Sequence, residues 1–511
     1  MTASRPCFGG DVSLRGLLQR AVFVGAEDIV TRRCIGRAEQ CQPGDLFVPQ
    51  SFSGRDEHEL INVAIERGAS AVVTERLLPV SIPQCLVENN REAFGVICQA
   101  LAGSPSLRML SIAVAGTSGK STTALFLASI LKGIGGSVAY YTSLGSSDSV
   151  SCDRSTIQPP SARKLADWMR RADMAGSPSL VVEVGQSMLQ HQATAGVEFD
   201  LLIVTGMRSG QHLGSPAQRR YVQWIDELAA QMKPHGMLLY NADDAHVAQW
   251  AANSELVAIG YGLDASEHIR GKRLSRAGGQ QQIMIRAGHT LMPLTLNMPG
   301  DHIARAALAA VAAGWMFDFP VAELIHHVEK LQSIPGRMQR VPTSVDVPVY
   351  IDAADTPDRL AVALHAMRTH QMGPCTAVVD ISPRMHPHWR TRLGEVLEKS
   401  GARVVLTASG MPSDQAQSVA MDVLGGLRNP GRHEVIPNRS QAIRWAINHT
   451  DTGCVLLAGC GVNSWLTSED SFTTSDEAVA RAALASRMEN TVAANQAISI
   501  FQPPTTPGLV F

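Results

Sequence analysis

The sequence has no CxxC pair, no long apolar run and no excess of charge of either sign. Nine cysteines are scattered through 511 residues. Without thiols paired at short spacing no metal knuckle is expected, and free thiols in a reducing cytosol are expected, Cys34 and Cys41 included. The missing apolar run argues against membrane insertion. The polar opening MTASRPCFGGDVSLRG lacks the apolar core of a signal peptide, so a cytoplasmic protein is expected. A formal net charge of −2, with 18% charged residues, provides no surface for nucleic acid. There are no internal repeats.

What is present is apolar material for several cores: 45% of residues are hydrophobic, and the length suits two to four domains. Short β-rich runs alternate with helical patterns from end to end. Residues 1–105 contain GDLFVPQSF and HELINVAIERGASAVVTER, a small α/β unit. Residues 106–333 carry strands at 110–115, SLVVEV, DLLIVTG and GMLLYNADD. Residues 334–487 carry VPVYID, CTAVVD, RVVLTA and CVLLAG. The alternation predicts α/β architecture with parallel sheets, whose ligands sit at the carboxyl ends of the strands. The Pro-rich end, 488–511, is expected to be irregular.

The stretch IAVAGTSGKSTTALFLASI runs from a strand through Gly116, Thr117, Ser118 and Gly119 into a helix. Such a turn aims backbone N–H groups and the helix dipole at one point. Lys120 would reach the outer phosphates of a nucleotide, and Ser121 or Thr122 would ligate Mg²⁺. The strict G-x-x-x-x-G-K-[ST] pattern is not met, because Val114 stands five positions before Gly119. No base-selecting N-K-x-D follows, which disfavours a plain kinase or GTPase.

G-T-x-G-K-[ST]-T-T resembles the ATP loop of the Mur ligases, which join an amino acid or peptide to a carboxylate through an acyl phosphate. The resemblance extends from about residue 35 to 485 and is nearest to the UDP-N-acetylmuramoyl-tripeptide synthetases of peptidoglycan synthesis. It implies three domains: an N-terminal one (1–105) for the UDP part of the substrate, carried by PGDLFVPQSFSGRDEHELINVAIERGASAVV; a central P-loop parallel-sheet ATPase domain (106–333); and a C-terminal dinucleotide-fold-like domain (334–487). It implies ATP and Mg²⁺ as cofactors, a UDP-MurNAc-peptide-like substrate, an amino-acid donor and a monomer. Glu183 falls at the family's Mg²⁺-binding Glu and His212 near its metal-linked His. Asn241 and Asp244 belong to the nucleotide-side NADD. Arg337 of PGRM reaches the nucleotide in the family, and Asp352 matches the Asp of DYAHTP.

Other positions depart from the family pattern. The lysine of Y-x-x-x-K, usually carbamylated, is missing from Tyr221–Glu227, where Asp226 or Glu227 offers the nearest carboxylate. Two asparagines of G-x-[FH]-N-x-x-N are Ile303 and Ala306. Ser409-Gly410-Met411-Pro412 stands for the D-N-P-R clamp of diaminopimelate, and Asp380-Ile381-Ser382-Pro383-Arg384 for a glycine-rich loop. Without the Arg clamp, bidentate recognition of a carboxylate is lost. A catalytically inactive relative that binds nucleotide, UDP-precursor or protein partners is therefore an open alternative. A folylpolyglutamate- or cyanophycin-type ligase is disfavoured by the first domain. HPHW (386–389) is expected to be a loop, since Pro387 breaks helical ligand spacing.

Overall fold

The structure, a computed structural model, describes residues 10–50, 57–153, 158–207, 216–265, 267–343, 347–370, 372–382, 385–409, 411–466 and 473–500. By its contacts the chain divides into two compact units. One comprises 1–271, 285–292 and 305–330; the other comprises 272–284, 293–304 and 331–511.

The first unit opens with a five-stranded sheet, ordered Val22–Val24, Gln84–Leu86, Ala71–Thr74, Leu46–Phe47, Cys34–Ile35. Its covering helix, Asn90–Leu101, starts where Asn89 accepts hydrogen bonds from the N–H groups of Arg91 and Glu92, the ordinary chemistry of an N-cap. Gly95 lets this helix close on Ala195, whose side chain would stand 2.7 Å from an added Cβ.

The larger sheet of this unit is parallel through its middle. Ala139–Thr142, Ser179–Glu183, Leu110–Ala115, Phe199–Val204, Met232–Asn241 and Val257–Gly262 are neighbours in that order. Leu110–Ala115, at the centre, is buried on both faces apart from its first residue, which is why it reads as a continuous apolar run and not an alternating one. The strand Ile269–Ala277 begins by pairing with Tyr261 and Gly262.

In the second unit, Gln339–Arg340 pairs antiparallel with Val349–Asp352. Then Cys454–Ala458, Cys375–Asp380, Arg403–Thr407 and Glu434–Val435 continue the sheet in parallel. Arg439, fully buried, donates from Nε and Nη2 to the two carboxylate oxygens of the equally buried Asp476, both at 2.7 Å. It thereby ties the helix that begins at Asp476 to the strand ends. His370, also buried, accepts the Gly300 N–H at Nε2 (3.1 Å), and its Nδ1 faces Gln280 O at 3.2 Å. These partners assign the neutral tautomer with its proton on Nδ1.

Two expectations are corrected. The helix Asp476–Ile500 continues through 488–500, where an irregular course was expected. This stretch has no Pro or Gly and is rich in alanine; the prolines begin only at Pro503. HPHW is not a loop but the start of the helix Pro387–Ser400. His386 is its N-cap, accepting from His388 N–H, and Pro387 fills the first turn, where a missing N–H costs nothing.

Candidate active site

The phosphate-loop residues stand at the carboxyl ends of adjacent parallel strands. The loop leaves the central strand at Gly116, and the helix Lys120–Gly135 begins after Gly119 in a left-handed conformation (φ +81°) with no side-chain cap. The first N–H groups of such a helix have no partners within it. Gly116 is required by close approach as well as by its φ of +138°: a Cβ there would lie 2.3 Å from Thr205 Oγ1 and 2.9 Å from Gly206 N. Thr117 N–H donates to Gly206 O at 2.9 Å. Thr205 Oγ1 lies 2.6 Å from Ser118 O and 3.0 Å from Ala115 O; its single proton serves the nearer carbonyl. Ser121 and Thr122, on the first turn, are buried.

Lys120 and Glu183 converge beside the loop. Nζ is 3.9 Å from Oε1, and the side chains are 15% and 8% exposed. Glu183 ends the strand next to the loop's own, which explains how residues 63 positions apart meet. One strand further out, Ser143 N–H donates to Glu183 Oε2 at 2.8 Å. Ser143 Oγ lies 3.5 Å from Glu183 Oε1 and 3.0 Å from Ser121 Oγ.

Asn241 and Asp244 act on the loop from the other side. Asn241 Nδ2 donates to Thr205 O at 2.9 Å, and its Oδ1 accepts from Asp243 N–H. Asp244 accepts the N–H of Met207 at 3.1 Å and caps the helix Ala245–Ala251 through His246 N–H. Both therefore brace the segment Thr205–Met207, against which the loop rests. Asp243 takes Arg305 Nε at 2.6 Å and the N–H groups of Leu263, Asp264 and Ala265. Burial alone would raise its pKa, but Arg305 and these N–H groups bring it below the ordinary carboxylate value.

Arg337 and Asp352 belong to the second unit. The Pro335–Met338 turn places Gly336 and Met338 in left-handed conformations. Asp352, ending its strand, accepts Met338 N–H at 2.9 Å and so clasps the turn that carries Arg337. Burial pushes the Asp352 carboxyl above its usual pKa, and the Arg337 charge opposes this.

His212 lies outside the described residues, as do Pro383, Arg384 and Gly410. Ile225, four residues after Tyr221, is fully buried in the apolar core under the sheet. Asp226 is exposed, and its Oδ1 accepts from Trp250 Nε1 at 2.7 Å. Sequence reasoning missed Ser143 and Thr205. Each follows the last residues of a parallel strand, but hydroxyls are common there, and only the fold aims these two at the loop.

The donor set fits the implied ligands. The uncapped helix start and the glycine cradle suit a phosphate. Ser121 and Glu183 offer oxygen only, the chemistry of a hard cation such as Mg²⁺ and not of zinc. Among the described residues no group of three His, Cys, Asp or Glu could hold a metal ion by itself.

A glycine loop between a central parallel strand and an uncapped helix, with a lysine and a strand-end glutamate at its mouth, defines a P-loop α/β protein built to hold phosphate. Residues 114–314 match the Mur ligase middle domain and residues 336–461 the Mur ligase glutamate ligase domain. The chain belongs to the Mur ligase family and is a ligase of that type. A UDP-N-acetylmuramoyl-L-alanyl-D-glutamate–2,6-diaminopimelate ligase of Geobacillus thermodenitrificans is 25% identical over 476 residues, covering 91% of this chain and 96% of the relative. A solved structure of a ligase with that name superposes with a TM-score of 0.69 at 19% identity, over 94% of this chain and 100% of the other. The MurF ligase of Thermotoga maritima in complex with ADP gives 0.60 at 18% identity, over 84% and 93%. At those identities the two structures speak for the fold alone. Among the described residues no helix is long and apolar enough to cross a membrane.

Proposed function

We propose that this chain is an ATP-dependent amide ligase of peptidoglycan precursor synthesis, joining an amino acid to the carboxylate of a UDP-MurNAc-peptide by way of an acyl phosphate. The convergence of Lys120, Glu183 and Ser121 at the mouth of the glycine loop carries the reading. Lys120 offsets charge on the transferring phosphoryl group, while the loop N–H groups hold the neighbouring phosphates. Glu183 and Ser121, with His212, are the residues for Mg²⁺, which when bound neutralises phosphate charge and orients it for transfer. Arg337 and Asp352 are further residues for the nucleotide, and residues 1–105 take the uridine diphosphate part. The names of the curated relatives support the ligase reading.

The donor is not selected by the usual diaminopimelate clamp, since Ser409 and Met411–Pro412 stand in its place. Ile225 favours a second reading, a binding protein without turnover, because an apolar residue fills the lysine's position. The preserved cluster around Lys120 favours the ligase. The enzyme works as a cytoplasmic monomer. ADP release with UDP-MurNAc-L-Ala-D-Glu and a panel of amino acids, beside Lys120→Ala, tests the proposal. Donor-dependent ADP formation that the variant lacks supports it; no ADP with any donor refutes ligase activity.

A further inference from the structure

Ser143 sits in a turn whose shape is set locally. Thr142 Oγ1 donates to Gly145 O at 2.8 Å and accepts Leu144 N–H at 3.2 Å, closing the antiparallel step from Ala139–Thr142 to Gly145–Ser147. Because Ala139–Thr142 lies beside the strand that ends in Glu183, the turn delivers Ser143 to the Glu183 carboxylate. Both polar groups of Ser143 face it: N–H to Oε2 at 2.8 Å, and Oγ 3.5 Å from Oε1. The same hydroxyl is 3.0 Å from Ser121 Oγ, yet the residue stays exposed.

We infer that Ser143 is a positioning residue for the cation site, acting through Glu183 and Ser121. The inference rests on the ATP·Mg²⁺ reading above. A serine that ligates a cation through a lone pair must send its proton to an acceptor, and the Ser143 oxygen is that acceptor for Ser121. The Ser143 hydroxyl in turn donates its hydrogen bond toward Glu183 Oε1, while its backbone N–H occupies one lone pair of Oε2. Both ligand oxygens are thus held in register by one residue that needs no direct bond to the ion. Partners of this kind are worth roughly ten- to a hundredfold in metal affinity.

The test is calorimetric titration of ADP into the full chain at a series of free Mg²⁺ concentrations. It compares wild type, Ser143→Ala, Ser143→Thr, Glu183→Gln and the Ser143→Ala/Glu183→Gln pair. Ser143→Ala is expected to raise the half-saturating Mg²⁺ about tenfold, with ADP binding in chelator unchanged. Thr should restore the wild-type midpoint. In the Glu183→Gln background the alanine should add less than it does in wild type, the mark of two residues that act partly through one another; the remainder is the arm through Ser121. A wild-type midpoint in Ser143→Ala overturns the inference, as does an equal loss of ADP binding with and without Mg²⁺. Wild type that binds no ADP at any Mg²⁺ concentration overturns the nucleotide reading itself, and the inference with it.

Discussion

Lys120 Nζ lies 3.9 Å from Glu183 Oε1, at the mouth of a glycine loop and mostly shielded from water. Removing the cation should therefore cost phosphate stabilisation rather than fold. Lys120→Ala is expected to lower turnover by about a hundredfold or more and to leave the thermal midpoint near wild type. Steady-state ADP release and a melting curve on the same preparation check both halves.

Gly116→Ala should do the opposite on the second count. The added Cβ meets the Thr205 hydroxyl and the Gly206 backbone, and alanine is strained at a φ of +138°. A loss of roughly 1–3 kcal/mol is expected, together with weakened nucleotide binding, because the loop cannot keep its path. A denaturant titration reads the first effect and calorimetry the second.

The Arg439–Asp476 pair is the most deeply buried ion pair described, with both side chains fully inaccessible. Arg439→Met alone leaves a carboxylate without its partner and is expected to cost about 3–5 kcal/mol. Arg439→Met combined with Asp476→Leu should recover most of that. Equal losses in the single and double variants, by urea unfolding, would contradict this account.

His370 makes stability depend on pH. Burial first, then the Arg276 charge, lowers its pKa below the ordinary 6.5, while Gln280 O and Asp301 act the other way. Unfolded chains take up the proton near 6.5, and the folded chain only further down. Stability should therefore be full above about pH 7 and fall as pH drops through 6.5 toward the folded value. His370→Gln can still donate to Gln280 O and accept from Gly300 N–H, and should show a smaller drop in melting temperature between about pH 7.5 and 5.5. An identical drop in both proteins would assign the effect to other groups.

The strands at Leu110–Ala115, Ser179–Glu183 and Cys375–Asp380 were legible because buried parallel strands are short unbroken apolar runs. The glycine loop was legible because its conformation admits few residues. The helical course of 488–500 is not legible in the sequence, because the prolines from Pro503 onward dominate the composition of the tail. Pro387 has the local signature of a breaker, although it opens a helix.

Local chemistry in the sequence determined where the chain turns, which strands are buried and where the glycine loop lies. Those depend on residues a few positions apart. Tertiary structure alone decided which hydroxyls face Glu183, that Asn241 and Asp244 brace Thr205–Met207, and that Ile225 points into the core. Such contacts join strand ends 36 residues or more apart, 36 for Asn241 and Thr205 and 40 for Ser143 and Glu183. Sheet order sets them, and no local pattern encodes which strand lies beside which.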